Sequence, residues 1–179
     1  METTGASSGG RSAQVAAGPR LRNARSLCGL LPGGRVFRVT RRYHFASSHR
    51  LHSPELSEEE NQKIYGKCNN PYGHGHDYVL DVSACGPLDS AAGRVLDTRL
   101  MDDLVERLVL HPFDHRNLNT EVQWFMPVVP TSENLGREIC RRLKHNWNST
   151  FPDEWPRLEK VRIEETPRNI FEVRADEIE

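Results

Sequence analysis

The 179-residue chain contains no apolar run approaching the ~18 residues a membrane helix needs, so its sequence offers nothing to span a bilayer. Cysteine is scarce: Cys28, Cys68, Cys85 and Cys140 are widely spaced with no C-x-x-C pair, and no apolar signal segment precedes them. A reducing cytoplasm with four free thiols is therefore the expected setting. Without a secretory route, the sequon Asn148-Ser149-Thr150 carries no meaning. A Gly-rich dinucleotide motif is also missing. Hydrophobic residues make up only 36% and mean hydropathy is -0.66, which fits one domain with a modest core. An excess of charge is missing overall, at -1, but the charges are sorted along the chain. Residues 1–54 hold nine arginines against the single acid Glu2, leaving +8, and residues 55–179 hold 15 basic against 24 acidic residues, leaving -9.

What is present divides into a tail and a domain. Residues 1–34 are rich in Gly, Ser, Ala and Arg and cannot bury enough surface to offset their ordering entropy, so a disordered basic tail is expected there. A plain tail is preferred to a transit peptide or nucleic-acid-binding arm, because Glu2 stands at the front and amphipathic periodicity is missing. The domain occupies 35–179. Residues 36–45 alternate as a strand, which places His49 on its apolar face if it runs on. Residues 55–65 read as a loop or short helical turn. His74 to Ala84 forms a second strand, with His74, His76, Tyr78, Leu80 and Val82 on one face. Extended structure resumes at Val95-Leu96. Asp97 then caps a helix carrying Leu100, Met101, Leu104, Val105 and Leu108 up to Pro112. A second helix begins at Thr131-Ser132-Glu133, with Leu135, Ile139 and Leu143 as its stripe, and 145–156 reads as a loop. Strands Leu158 to Glu165 and Asn169 to Arg174 close a ββααββ plan, an α+β domain with an antiparallel sheet covered by helices.

The most informative stretch runs from Gly66 to His76. Two imidazoles in an H-x-H spacing on a strand point the same way, about 6.5–7 Å apart, and can share one metal ion. If the preceding strand pairs antiparallel, His49 supplies a third ligand. Three histidines and an open fourth position are the composition of a catalytic zinc site. Against this stands the simpler alternative that a histidine at a strand end is a satisfied surface residue, the reading adopted for His44, His52, His111 and His145. Cys68 precedes His74 in an Asn-, Gly- and Pro-rich loop, and a thiol there acts as nucleophile or base only as thiolate. Asp114-His115 is a candidate proton partner, with the carboxylate fixing the imidazole tautomer. Glu165 shares strand parity with Val161 and Ile163, so it points inward and needs a partner such as the N–H groups of a heterocycle. Glu133, by position alone, is a first-turn acid meeting the helix dipole.

At these residues the chain resembles the 6-pyruvoyl-tetrahydropterin synthase family, which includes the bacterial 6-carboxy-tetrahydropterin synthases. The matching pieces are Phe45 to Leu51, Gly66 to His76, Pro112 to Leu118, Pro130 to Leu135 and Glu165-Thr166, spread over residues 43–173 in the family's order. The resemblance implies the tunnelling fold, with a four-stranded antiparallel sheet and two helices on one face. It implies zinc at His49, His74 and His76, Cys68 as catalytic thiolate, and Asp114 with His115 as its proton relay. Glu165 would anchor a pterin ring, assisted by Thr131, Ser132 and Glu133. The implied substrate is 7,8-dihydroneopterin triphosphate. The implied assembly is a homohexamer of two trimers with active sites between subunits, and neither nucleic acid nor membrane is a partner. The redox change is internal to the substrate, in agreement with the missing dinucleotide motif.

Five residues separate Cys68 from His74, as in the pyruvoyl-forming enzymes, where carboxy-forming relatives typically have three. The product expected is therefore 6-pyruvoyl-tetrahydropterin. The carboxy-forming activity is the alternative, followed by a non-catalytic pterin- or metal-binding module. A generic zinc hydrolase leaves Cys68 and Glu165 without a task. The chain departs from the family's usual helix opening, an Asp, an aromatic residue and Asp-Leu-Lys, where it has Asp97-Thr98-Arg99-Leu100-Met101-Asp102. A triphosphate substrate on an acidic domain calls for a local basic group, and Lys67 is the first candidate.

Overall fold

Strand β1 (Phe37–His49) alternates outward and inward residues until its last third, where Phe45, Ser47 and His49 are buried. This is the pattern of a strand that enters the core only at one end. The structure, a computed structural model, describes residues 35–179; the tail expected over 1–34 lies outside the described residues. β1 pairs antiparallel with β2 (His74–Gly86) in unbroken register from Phe37↔Gly86 to His49↔His74. β2 pairs antiparallel with β4 (Arg157–Thr166), which pairs with β5 (Asn169–Arg174). A two-residue strand, β3 (Arg116–Asn117), adds parallel to β1 at Ser47 and Ser48. The sheet thus has five strands in the order β3-β1-β2-β4-β5, a correction to the four expected. A two-residue strand is too short to show alternation in a sequence.

Helix α1 (Glu58–Tyr65) fills the segment read as a loop or turn, with Ser57 and Glu60 forming a capping box. Buried Asn61 holds the turn before it, donating to the carbonyls of Ser53, Leu56 and Ser57 and accepting from Ser53 N. Val95 and Leu96, expected as extended, form a bend. Helix α2 (Thr98–Val105) is capped by Asp97 as expected, continues through a π-helical turn at Glu106–Leu110, and ends in α3 (His111–Phe113). Pro112 has no N–H to offer the carbonyl four residues back, and Arg142 Nη1 donates to Leu108 O instead, at 3.3 Å. A short α4 (Leu118–Glu121) follows β3.

Helix α5 (Ser132–Thr150) is capped by Thr131 and extends well into the segment expected as loop. The reason is Trp147, which continues the stripe of Leu135, Ile139 and Leu143 at the next helical step. Its indole donates to Pro156 O at 2.8 Å, fixing the chain that returns to β4. Met101, Leu104 and Val105 of α2 join Leu135, Ile139 and Leu143 of α5 over Tyr78, Leu80, Val82, Val161 and Ile163 of the sheet. Each fully buried Leu or Ile contributes roughly 1.5–3 kcal/mol of transfer free energy. The opposite sheet face is polar. Arg42 and Arg162 converge on Asp81, Arg38 on Glu159, and Lys160 on Glu172. Cys85 lies on this face in a disulfide, which corrects the free thiol expected there; Cys68 and Cys140 are free thiols. Among the described residues no helix is long and apolar enough to cross a membrane.

Candidate metal centre and its surroundings

The β1–β2 register places His49 directly opposite His74, and His76 opposite Ser47, so three imidazoles meet on the helix-covered side of one strand end. Their donor atoms lie within 4.8 Å of one another. Gly73, with φ 70°, makes the approach possible: a Cβ there would lie 2.9 Å from His49 O. His49 Nδ1 donates to Pro130 O at 2.7 Å, which turns its Nε2 lone pair inward. His49 Nε2, His74 Nδ1 and His76 Nε2 are buried without a hydrogen-bond partner. Burial lowers the His49 imidazole to about 4, keeping it neutral near pH 7, and lowers His74 as well, with His76 assisting. Three imidazole nitrogens, one orphaned atom on each ring, fit a divalent ion of the zinc type.

Glu165 faces this trio. Its Oε1 lies 3.5 Å from His49 Nε2 and 3.7 Å from His76 Nε2. Lone pairs and a carboxylate oxygen thus converge on one point, an arrangement that suits a cation. Tyr78, fully buried and stacked on Phe45, offers its hydroxyl to Glu165 Oε1 at 3.5 Å, and Asn169 Nδ2 donates to Oε2 at 2.5 Å.

Cys68 sits on a single 3₁₀ turn, Gly66–Asn69, and its carbonyl accepts from Leu51 N at 2.8 Å. Arg50 grips the next residue, donating to Asn69 O at 3.1 Å and to Asn69 Oδ1 at 2.9 Å, and His52 joins the same oxygen at 3.0 Å. Asn119 in turn holds Arg50 through both its N–H and its carbonyl. The thiol loop is therefore tied to the strand end that carries His49. Burial and the charge of Glu165 push the Cys68 thiol up, away from thiolate. Lys67 beside it is exposed.

Asp114 and His115 hang from the outer edge of β1. Asp114 Oδ1 accepts from Ala46 N at 2.8 Å, and His115 N donates to Ala46 O at 2.6 Å with His115 in the left-handed region, φ 58°. The Ala46 N–H lowers the Asp114 carboxyl, and His115 Nδ1 lies 3.0 Å from Asp114 Oδ2. The His115 side chain is 82% exposed, on the rim of a cleft of about 420 Å³ shared with His76, Ser47 and Asn117. No hydrogen bond joins Cys68 to Asp114 or His115 among the described residues. A larger cleft of about 720 Å³, between Trp147 and Arg157, is lined by none of these groups. Thr131 caps α5 through Asn134 N, Ser132 is buried with its hydroxyl against Asn169, and Glu133 is exposed in the first turn. Sequence reasoning missed Asn169, Arg50 and Asn69. Tyr78 was visible as the next same-face residue after His74 and His76.

A cluster of three histidines that could hold a metal ion, beside a free thiol and an inward carboxylate at the end of an α+β sheet, is the arrangement of a candidate enzyme centre. A family model described as 6-pyruvoyl tetrahydropterin synthase matches residues 38–176, and the chain belongs to that family. A Poecilia reticulata protein named 6-pyruvoyl tetrahydrobiopterin synthase is 39% identical over 145 residues, 81% of this chain and 95% of its own. The solved structure of Caenorhabditis elegans 6-pyruvoyl tetrahydropterin synthase superposes with a TM-score of 0.72 at 40% identity, covering 79% of this chain and 96% of that one. A Rickettsia conorii protein named 6-carboxy-5,6,7,8-tetrahydropterin synthase is 26% identical, over 77% of this chain and all of its own length. The fold is the tunnelling fold of these relatives.

Proposed function

We infer that the chain is a 6-pyruvoyl-tetrahydropterin synthase, a lyase that converts 7,8-dihydroneopterin triphosphate to 6-pyruvoyl-tetrahydropterin with release of triphosphate. The observation that carries this reading is the trio of orphaned imidazole nitrogens facing Glu165 and the Cys68 loop, in a chain of this family. The pyruvoyl-type spacing from Cys68 to His74 and the higher identity to relatives of that name favour the pyruvoyl over the carboxy product.

His49, His74 and His76 would hold zinc, which when bound supplies Lewis acidity to substrate hydroxyls and positive charge that favours a nearby thiolate. Glu165 accepts the amino and ring N–H groups of the pterin through its two oxygens, with Thr131, Ser132 and Glu133 at the same end of α5. Cys68 takes up and returns protons on the substrate side chain. Asp114 fixes the His115 tautomer by accepting from Nδ1, leaving Nε2 to exchange protons. Because His115 projects outward and among the described residues has no bond to Cys68, the relay would be completed between subunits, in keeping with a hexamer of two trimers. Lys67, exposed beside Cys68, is the first candidate for the basic group that meets the triphosphate.

Incubation of the zinc-loaded protein with 7,8-dihydroneopterin triphosphate, with products identified by mass, tests the reading. Pyruvoyl-tetrahydropterin and triphosphate are expected. Carboxy-tetrahydropterin with acetaldehyde as the only products overturns it in favour of the carboxy-forming activity, and an inert protein that still binds pterin marks a binding module.

A further inference from the structure

A carboxylate can read two neighbouring N–H groups only if its plane is fixed before the ligand arrives, since an oxygen pair free to rotate spends binding energy on ordering. We propose that Asn169 is the positioning residue of Glu165, bridging that carboxylate to the first turn of α5; this rests on reading the site as a pterin pocket. Asn169 Nδ2 lies 2.5 Å from Glu165 Oε2 and 3.1 Å from Ser132 Oγ, so its two N–H groups serve one partner each. Tyr78 approaches the other oxygen, Oε1, at 3.5 Å. Each carboxylate oxygen thus has one neutral protein donor and keeps acceptor capacity for a ligand.

Packing at a distance sets this bridge. Thr166 Oγ1 accepts from Arg168 N and Asn169 N, at 3.3 and 3.1 Å, and closes the β4–β5 turn that returns Asn169 toward Glu165. Phe171 follows two positions later on the same strand face, and Gly136 follows Ser132 by one helical turn. A Cβ at position 136 would lie 2.7 Å from Phe171 Cδ1, so the missing side chain lets α5 come down onto β5. That close approach is what brings Ser132 within reach of Asn169. An amide suits the task because it orients Glu165 without neutralising it, whereas an arginine fork would consume both oxygens.

The test compares zinc-loaded wild type with Asn169→Ala and Asn169→Asp. Neopterin, which carries the ring without triphosphate, is the binding probe, read by fluorescence titration. Asn169→Ala is expected to raise the neopterin Kd and the substrate KM about tenfold while kcat changes less than about threefold. Asn169→Asp, which sets a carboxylate against Glu165, is expected to raise both about a hundredfold. Zinc stoichiometry and Tm should match wild type in both variants. A crystal structure of zinc-loaded Asn169→Ala should show the Glu165 carboxylate rotated from its wild-type place. An unmoved carboxylate overturns the proposal, as does an unchanged Kd in Asn169→Ala, or loss of zinc or Tm on the scale of the affinity change. Should wild type itself not bind neopterin, the pterin reading fails, and the position of Glu165 in the crystals still decides whether Asn169 holds it.

Discussion

Glu138, Glu159 and Asp81 are buried on the same domain as Glu165, yet they are treated differently. Glu138 accepts from both Arg141 and Arg142, Asp81 from Arg42 and Arg162, and Glu159 from Arg38. Each of these three has a guanidinium against it. Glu165, with only 12% of its side chain exposed, has none among the described residues and is held by an amide and a phenol while facing histidines. Three carboxylates are satisfied by the chain itself, which is what a structural acid requires. The fourth keeps part of its bonding capacity and stands beside three nitrogens that have no hydrogen-bond partner among the described residues. The contrast separates groups that hold the fold from groups held ready for something outside it.

The largest test of that separation removes the outside partners' anchors. His74→Ala is expected to abolish stoichiometric zinc and lower kcat by about a thousandfold or more. Cys68→Ala is expected to lower kcat by roughly a hundred- to a thousandfold while retaining zinc. Metal analysis beside steady-state assays distinguishes the two. Stoichiometric zinc in His74→Ala sinks the three-histidine centre, and full turnover in Cys68→Ala removes the thiol from the chemistry.

Next in size is an exchange at the carboxylate itself. Glu165→Gln is expected to cut kcat/KM about a hundredfold, since one oxygen becomes an N–H that opposes the ligand's donors. Its Tm should stay within about a degree of wild type, because no guanidinium is left unpaired by the change. A Tm loss of several degrees, measured on the metal-free protein, would place Glu165 with the structural acids instead.

Much of the site was legible because strand alternation survives in sequence. The faces of His49, His74, His76 and Glu165 all followed from strand parity, and the Asp97 cap from its place before a helical stripe. Trp147 carried the signal for the longer α5, but the polar residues around it pointed to a loop. Other features depend on register between distant strands. Arg38 reaches Glu159 across 121 residues, beside the irregularity where Ser83 pairs with Lys160 and Ala84 with Leu158. Nothing local announces that partner, nor the bridge from Asn169 to Ser132. Asp114 and His115 meet as their adjacency suggests, and among the described residues no hydrogen bond joins either of them to Cys68.

On the structural side, Arg38→Met leaves the Glu159 carboxylate, fully buried, without its fork. A lone buried charge costs several kcal/mol in a closed interior, but Arg38 is half exposed and water can enter, so about 2 kcal/mol is expected. That corresponds to a Tm lower by roughly 4–8 °C in a domain of this size. kcat/KM should remain within twofold. Denaturant unfolding of the zinc-free protein gives the number, and a loss below about 0.5 kcal/mol would mean that Glu159 is satisfied without Arg38.

The smallest effect concerns pH, where the two regions should part by window. Arg42 holds Asp81 below its ordinary 3.8, and Arg38 holds Glu159 below its ordinary 4.5. Their stabilisation is complete above those values and is lost only as pH falls beneath them. His49 behaves differently, because burial lowers it from 6.5 to about 4. In the zinc-free protein the unfolded imidazole takes up a proton near its ordinary value while the folded one does not, so stability begins to fall below about pH 6.5. By pH 5.5 the loss should reach about 1 kcal/mol, before the arginine-paired acids contribute. His49→Gln should shrink that segment of the stability curve to the part His74 contributes and leave the acid limb unchanged. An upper limb undiminished in His49→Gln would assign that window to a different group and take the signature away from His49.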